Sequence, residues 1–97
     1  MARPEKLSEA EIQVRLPKLP GWSLAEGKLR REFACKDFSD AFGKMTRVAL
    51  AAESMNHHPD WSNCWNRVTV ELSTHSAGGL TELDFTLAAK ISGIFES

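Results

Sequence analysis

The chain has 97 residues and a mass of 10.8 kDa, and we predict a single domain over residues 1–97. Its hydrophobic fraction of 42% and charged fraction of 26% are ordinary for a folded domain and argue against disorder. Twelve basic and thirteen acidic side chains give a net charge of −1, so direct binding to nucleic acid is not expected. No apolar run is long enough to cross a membrane.

A short helix and a hairpin are predicted in the first third of the chain. Ser8 and Glu11 have the spacing of a capping box, and Pro17 should end the helix that follows. Residues 22–25 and 29–33 have the composition of two short strands. The Glu-Gly pair between them predicts a tight hairpin turn.

A long helix of about five turns is predicted next. Asp37 can cap its beginning, and Pro59 should end it. Apolar residues recur at steps of three and four and form one face: Phe38, Phe42, Met45, Val48, Ala49, Ala52 and Met55.

Between Cys64 and His75 apolar and polar residues alternate with a period of two, which predicts a half-buried strand. Its apolar side carries Val68, Val70 and Leu72, whereas Trp65 and the polar residues lie on the other side. A further short strand near residues 61–64 is an open alternative.

A last helix is predicted after the Gly-Gly pair that ends this strand. Thr81 can cap it, and Asp84 lies three residues on, where a negative charge is favourable. Its apolar face consists of Leu83, Leu87, Ile91, Ile94 and Phe95.

The order of the predicted elements favours an α+β fold, in which helices cover one face of an antiparallel sheet of three or four strands. Such a sheet has an exposed edge, and edges favour pairing between subunits. The sequence therefore predicts a homo-oligomer. The charged segment Met1–Lys6, which lacks a signal peptide's apolar stretch, and the two separated cysteines Cys35 and Cys64 predict a cytoplasmic protein with free thiols.

Three histidines mark the region where chemistry is expected. His57 and His58 precede Pro59, and His75 follows the predicted strand. Imidazole titrates near neutrality, so a pair of them can deliver one proton and remove another. Carboxylates and tryptophans surround them in the sequence: Glu53, Asp60, Asp84, Trp61 and Trp65.

Structural explanations exist for each of these residues taken singly. A histidine can be a hydrogen-bonded surface residue, Trp22 and Trp61 can fill the core, and Asp84 can serve only as a helix cap. A zinc site is a second alternative, but adjacent histidines on a helix point about 100° apart. Nucleotide binding is weakly indicated, because the Gly-Gly pair lacks a phosphate-loop pattern. Cys64 as a nucleophile is a further alternative.

The run from Ala52 to Trp61, Ala-Glu-Ser-Met-Asn-His-His-Pro-Asp-Trp, resembles the signature of the pterin-4a-carbinolamine dehydratases, also known as dimerisation cofactors of a homeodomain transcription factor. The resemblance covers roughly residues 8–95 and includes the Leu-Pro-Gly-Trp segment that ends at Trp22. The residues that match the pattern of the family are Glu53, His57, His58, Pro59, Trp65, His75 and Asp84.

This resemblance implies a four-stranded antiparallel sheet with three helices on one face, assembled into dimers or tetramers. It implies an enzyme, a hydro-lyase that removes water from 4a-hydroxytetrahydrobiopterin to give quinonoid dihydropterin and so recycles tetrahydrobiopterin, without a metal or an organic cofactor. By motif, His57 and His75 become the acid–base pair and His58 holds the pterin. The remaining site residues, which bind or enclose the substrate, are Glu53, Asp60, Trp61, Asp84 and Trp22.

Two other functional hypotheses stay beside the enzyme. The family contains a binding role, so the chain could stabilise dimers of a transcription-factor partner, and a nuclear location would then accompany the cytoplasmic one. A metal-dependent hydrolase or lyase is the third hypothesis. The complete set of histidines favours the dehydratase, because a scaffold has no need of all three.

Overall fold

The computed structural model describes residues 4–97, and this part of the chain contains three α-helices and four β-strands. In chain order they are α1 (Glu9–Arg15), β1 (Ser23–Ala25), β2 (Lys28–Ala34), α2 (Phe38–Met55), β3 (Asp60–Cys64), β4 (Arg67–Leu72) and α3 (Glu82–Phe95). Two short 3-10 helices are also present: Leu16–Lys18 directly follows α1, and His75–Ala77 lies between β4 and α3. None of the helices in residues 4–97 has the length and hydropathy to span a bilayer.

The four strands form one antiparallel sheet in the order β1-β2-β4-β3. Phe33 lies opposite Val68, and Leu29 lies opposite Leu72, so apolar side chains from two neighbouring strands share one face. The α+β class with a four-stranded antiparallel sheet is therefore confirmed.

The core lies between this apolar face and the helices. α2 and α3 pack against each other and against the two central strands. The fully buried aliphatic side chains of this core are Leu29, Val48, Val68, Val70, Leu72, Leu87 and Ile91. Their burial removes most of the apolar surface of the central sheet from water, which stabilises the fold.

The continuous strand predicted from Cys64 to His75 is wrong at both ends. Cys64 ends the separate strand β3, whereas β4 begins at Arg67 and ends at Leu72. Trp65 lies in the turn between the strands with a φ of 51°, and its side chain is exposed. The amide of Asn63 donates to the carbonyl oxygens of Trp65 (3.1 Å) and Arg67 (2.8 Å) and closes this turn, a role that an alternating pattern does not reveal.

The predicted apolar face of α2 is buried only in part. Val48 and Ala52 are in the core, as is Ala41, which the predicted face did not include. Phe38 and Phe42, however, are 50% and 56% exposed. The helix covers the sheet with a narrow stripe of small residues, and its aromatic residues point away from the core.

α2 ends four residues before Pro59, because Asn56 adopts a left-handed conformation with a φ of 50°. The backbone N–H of Asn56 donates to the carbonyl oxygens of Ala52 and Glu53, and that of His57 donates to Ala52 at 3.1 Å. This C-terminal cap turns the chain sharply, so the histidine pair follows the helix rather than continuing it.

Candidate functional site

His57 is held at the end of α2 with its ring turned toward the beginning of α3. Its Nε2 lies 2.6 Å from Oδ1 of Asp84, and only 8% of the residue is exposed. Asp84 is completely buried. A buried carboxylate destabilises the fold unless hydrogen-bond donors satisfy it. The short contact with His57 satisfies Oδ1 of Asp84 and fixes the orientation of both side chains.

The second carboxylate oxygen of Asp84 is satisfied by two further donors. Oδ2 accepts from the backbone N–H of Thr81 at 2.9 Å and from the hydroxyl of Thr74 at 2.8 Å. The two threonine hydroxyls are themselves 2.8 Å apart. Asp84 thus closes the capping box of α3 with one oxygen and binds an imidazole with the other.

The bond to Asp84 has a consequence for the tautomer of His57. In the neutral ring a carboxylate accepts from Nε2–H, so the proton sits on Nε2 and the lone pair on Nδ1. Nδ1 is therefore the nitrogen that is left to receive a proton from another molecule. The Asp84 carboxylate fixes the orientation of the imidazole ring, as a carboxylate that accepts from one ring nitrogen does for a metal-binding histidine.

His58 makes a similar contact at the surface. Its Nε2 donates to Oε1 of Glu53 at 2.8 Å, and the two side chains are 55% and 77% exposed. Glu53 was expected to share a face with His57 if the helix continued that far. Since α2 ends at Met55, Glu53 instead pairs with the second histidine.

His75 begins the 3-10 helix after β4 and is the most exposed of the three histidines. Its Nε2 lies 3.9 Å from Oδ2 of Asp60, the first residue of β3, and its side chain is 80% exposed. This distance fits an ion pair but is too long for a hydrogen bond. The imidazole of His75 therefore faces solvent.

A chain of polar contacts and short stretches of backbone links the three histidines. Its members, in order, are His57, Asp84, Thr74, His75, Asp60 and His58. The fold thus brings together the end of α2, the end of β4 and the beginning of α3. Sequence order alone did not establish this juxtaposition, and the structure provides it.

The tryptophans singled out in the sequence lie in different surroundings. Trp61 is half-buried on β3 and lines a hollow of about 230 Å³ with Asp60. Trp22 is buried, its indole N–H donates to Oγ of Ser92 at 2.7 Å, and its ring meets that of Phe33 edge-on. This placement gives Trp22 a role in the core, whereas Trp61 follows Asp60 on β3 and packs partly against the core.

Two cavities illustrate where a ligand could enter. The larger, about 480 Å³, lies between α1 and α3 and is lined by Val14, Leu19 and Phe85 among others. A smaller one of about 320 Å³ is lined by Thr74 and His75. The smaller cavity is the one that borders the candidate site, because His75 lines it and Thr74, which also lines it, donates to Asp84; volume alone does not identify chemistry.

The side chains of the other chemical alternatives lie as follows. Within residues 4–97 no group of three or more His, Cys, Asp or Glu side chains is arranged to hold a metal ion. Cys64 lies at the opposite end of β3 from Asp60, about 13 Å away at the usual rise per residue. Burial raises the pKa of the Cys35 thiol, which keeps it protonated.

Thr74 is the site residue that sequence reasoning missed. It precedes a candidate histidine and follows a strand, yet hydroxyl residues are so common at strand ends that its position carried little signal. Only the contact with Asp84 reveals that Thr74 connects the buried carboxylate to the segment that carries His75.

Comparisons with known proteins identify the family of this chain. A family model described as "Pterin 4 alpha carbinolamine dehydratase" matches residues 5–94. A protein of Solibacter usitatus (strain Ellin6076), named "Putative pterin-4-alpha-carbinolamine dehydratase", is 54% identical over 89 residues, covering 92% of this chain and 94% of its own. A protein of Rhizobium meliloti (strain 1021) with the same name is 56% identical over 91 residues, covering 92% of this chain and 88% of its own.

A solved structure is similar over almost its whole length. The crystal structure of a "transcriptional coactivator/pterin dehydratase" from Brucella melitensis has a TM-score of 0.91 and 45% identity, covering 94% of this chain and 99% of that chain. The matched region contains every histidine and carboxylate of the candidate site. The chain belongs to the pterin-4a-carbinolamine dehydratase family.

Proposed function

We propose that this protein removes water from 4a-hydroxytetrahydropterins by histidine acid–base catalysis. The observation that carries the proposal is the buried His57–Asp84 pair, which Thr74 connects to the segment of His75. The family supports a dehydratase that acts on a pterin carbinolamine. The use of histidines, and a role in recycling tetrahydrobiopterin, are our inferences.

The substrate sets the chemical requirements of the site. In a carbinolamine one carbon, C4a, carries both a hydroxyl and the ring nitrogen N5. Loss of water breaks the C4a–O bond and forms a C=N bond, so the departing oxygen must gain a proton while N5 loses one. No electrons enter or leave, and we therefore propose that neither a metal nor an organic cofactor takes part.

His57 and His75 are the proposed acid–base pair. Asp84 directs the lone pair of neutral His57 to Nδ1, which suits the removal of a proton. His75 is exposed and only loosely held, so it can approach the departing hydroxyl as an acid. Each such proton transfer contributes typically about 10²- to 10⁴-fold to a rate.

The remaining site residues are proposed to hold the substrate. His58 and Glu53 form an exposed pair that can bind the polar edge of a pterin, and Asp60 lies next to His75. Trp61 offers a flat apolar face to the heteroaromatic ring. Because Trp22 lies in the core, we propose that it supports the sheet and does not contact the substrate directly.

The test is the decay of 4a-hydroxytetrahydrobiopterin generated in situ by an aromatic amino-acid hydroxylase. We expect strong acceleration by the protein with a chelator present, because the proposed reaction needs only proton transfers. Absence of acceleration from a folded sample would overturn the proposal. Acceleration that disappears after chelation would instead favour metal-dependent chemistry.

We also propose that the protein is a homo-oligomer in the cytoplasm. β3 is an edge strand with unpaired backbone groups, and α2 exposes Phe38, Phe42 and Leu50. A second copy of this chain would cover such surfaces. Both cysteines are free thiols, as a reducing compartment requires. Light scattering after size exclusion would contradict the oligomer if it gave the mass of a monomer.

A binding role is the second candidate, supported by the name of the Brucella melitensis relative, which includes "transcriptional coactivator". In this role a helical segment of a transcription factor would bind the exposed aromatic residues of α2 in place of the second copy of the chain. Variants that lack the histidines would keep this binding, because α2 presents a different surface. Loss of partner capture on mutation of the histidines alone would contradict a separate binding surface.

A further inference from the structure

The cavity of about 480 Å³ between α1 and α3 has no part in the proposed dehydratase chemistry. α1 and the 3-10 helix after it contribute Val14, Arg15 and Lys18, and α3 contributes Phe85 and Ala89. None of the three histidines lines it. Its volume is in the range of about 300–1,000 Å³ that is usual for small-molecule sites. The cavity is therefore a candidate for a second ligand.

The inner wall of this cavity is apolar. Leu19 and Phe85, which line it, are 8% and 7% exposed and belong to the core. Val14 also lines it and is 64% exposed, which is unusual for a large aliphatic side chain beside a core surface. A ligand with an apolar body would cover this surface and would gain free energy in proportion to the area removed from water.

The charged side chains that line the cavity are both cations. Within residues 4–97 the ammonium of Lys18 has no hydrogen-bond or ion-pair partner. Nη1 of Arg15 lies 3.3 Å from Oε1 of Glu82, and these two side chains are 33% and 73% exposed. An ion pair that is so well solvated is weak, so a carboxylate in the cavity can compete with Glu82 for the guanidinium.

Glu11 restricts where an anion can lie along α1. It lines an adjacent hollow of about 300 Å³, which shares Val14 and Arg15 with the larger cavity. The hydrogen bond from the backbone N–H of Ser8 lowers the pKa of Glu11, so this side chain stays ionised at neutral pH and repels an anion. A bound carboxylate is therefore directed away from Glu11 and toward Lys18.

We propose that the cavity between α1 and α3 binds a small organic carboxylate with an apolar body. Arg15 and Lys18 hold the carboxylate, while Val14, Leu19 and Phe85 contact the body. An amine of the same shape would be repelled by both cations, and a bare inorganic anion would leave the apolar wall in water. This inference goes beyond the proposed dehydratase function and does not depend on it.

The test compares 4-phenylbutyrate, 4-phenylbutan-1-ol and 4-phenylbutylamine, which share one apolar body and differ in the head group. Each is titrated into ¹⁵N-labelled protein, and the amide resonances of Val14, Thr86 and Ala89 report occupancy of the cavity. We expect the carboxylate to bind roughly 3- to 10-fold more tightly than the alcohol, the effect of two solvated charge pairs. The amine should bind more weakly than the alcohol.

Two charge variants should change the affinity for phenylbutyrate in opposite directions. Lys18→Gln removes a cation and should weaken binding by about 2- to 5-fold, whereas Glu82→Gln frees Arg15 and should strengthen binding by up to about 3-fold. The matched control is Lys90→Gln, since Lys90 is exposed on α3 and does not line the cavity. It should keep the affinity of the wild type.

Several outcomes would overturn the proposal. They are equal affinity for the three head groups, tightest binding of the amine, and an affinity for phenylbutyrate that neither charge variant changes. Resonances that move on the exposed face of α2 and not at the cavity, or that do not move at all, would overturn it too. Because the titration needs no turnover, its failure would leave the dehydratase proposal intact, and a failed dehydratase assay would leave this one intact.

Discussion

The N-termini of α1 and α3 carry the same local device in different surroundings. In α1 the capping box of Ser8 and Glu11 is exposed, and its hydrogen bonds of 2.9 and 3.1 Å serve the helix alone. In α3 the equivalent residues, Thr81 and Asp84, are completely buried, and the acid also binds His57. One local motif therefore becomes part of a chemical site only where packing brings an imidazole to it.

The beginning of α2 gives an intermediate case. Asp40 is the third residue of that helix, as Glu11 and Asp84 are of theirs, and its Oδ2 accepts from the backbone N–H of Lys36 at 3.0 Å and from Lys44. No histidine takes part in these contacts. All three helices within residues 4–97 thus have an acid near their positive end, which is locally favourable, and of these acids only Asp84 also contacts a histidine.

The largest expected effect comes from Asp84→Ala. This change would leave three buried donors without their acceptor, so we expect a loss of about 3–5 kcal/mol in the free energy of unfolding. Activity should fall as well, since His57 loses its orientation. Urea denaturation measures the first effect. The matched control is Glu11→Ala in the exposed box, which should lower stability far less; equal losses would contradict the contrast between the two boxes.

The second prediction concerns His75→Ala, on the exposed side of the site. We expect the rate of dehydration to fall by about 10²- to 10⁴-fold. Stability should stay within about 0.5 kcal/mol of the wild type, because the side chain makes no buried contact. Lys90→Ala is the control for an exposed substitution. Turnover near that of the wild type would remove His75 from the mechanism.

A smaller effect is expected for Glu53→Gln, which weakens the exposed contact with His58. Because both side chains are well solvated, the free energy of unfolding should change by no more than about 1 kcal/mol. If Glu53 anchors the pterin, the KM should rise roughly 3- to 10-fold at nearly constant kcat. Glu82→Gln, at an exposed ion pair on α3, is the control and should leave the KM unaltered.

The smallest effect is a pH dependence at the exposed helix ends. The hydrogen bond from the backbone N–H of Ser8 lowers the pKa of Glu11, and that from Lys36 lowers the pKa of Asp40. Since the folded pKa lies below the unfolded one, each acid stabilises the fold above the unfolded value, and this contribution is lost as the pH falls through the folded value.

Glu11→Gln and Asp40→Asn should therefore lower the thermal midpoint slightly at pH 7. The difference from the wild type should shrink as the pH falls below the unfolded pKa values and vanish once the pH lies below the lowered folded values, where the acids are protonated in both states. Scanning calorimetry across this range provides the measurement. A difference that persists unchanged in acid would show that the substitutions act through packing rather than charge.

Much of the fold could be predicted because it depends on neighbours in the sequence. The capping boxes at Ser8 and Thr81 and the turn between β1 and β2 are local, and the structure confirms them. The family signature was also recognisable, since it consists of residues close together in order. The short strand near residues 61–64, kept as an alternative, is confirmed as β3, but its turn into β4 was not predicted, because the turn at Trp65 has neither glycine nor proline.

The candidate site shows the same difference between features that depend on sequence neighbours and contacts that do not. His57, His58 and Glu53 are close in sequence and could be grouped, although the left-handed Asn56 changed which histidine meets the glutamate. Thr74 could not be found in this way. Its contact with Asp84 spans ten residues and two elements, and the spacing of polar residues along a chain does not encode such a distance.

By itself, the sequence determined the helices, most of the strands and the family to which the chain belongs. These depend on periodicity, capping and a signature of adjacent residues, all of which act over a few positions. Only the tertiary structure decided that Asp84 is buried against His57 while Glu11 faces water. Burial depends on which surfaces meet when the helices pack on the sheet, and residues far apart in the chain control that meeting.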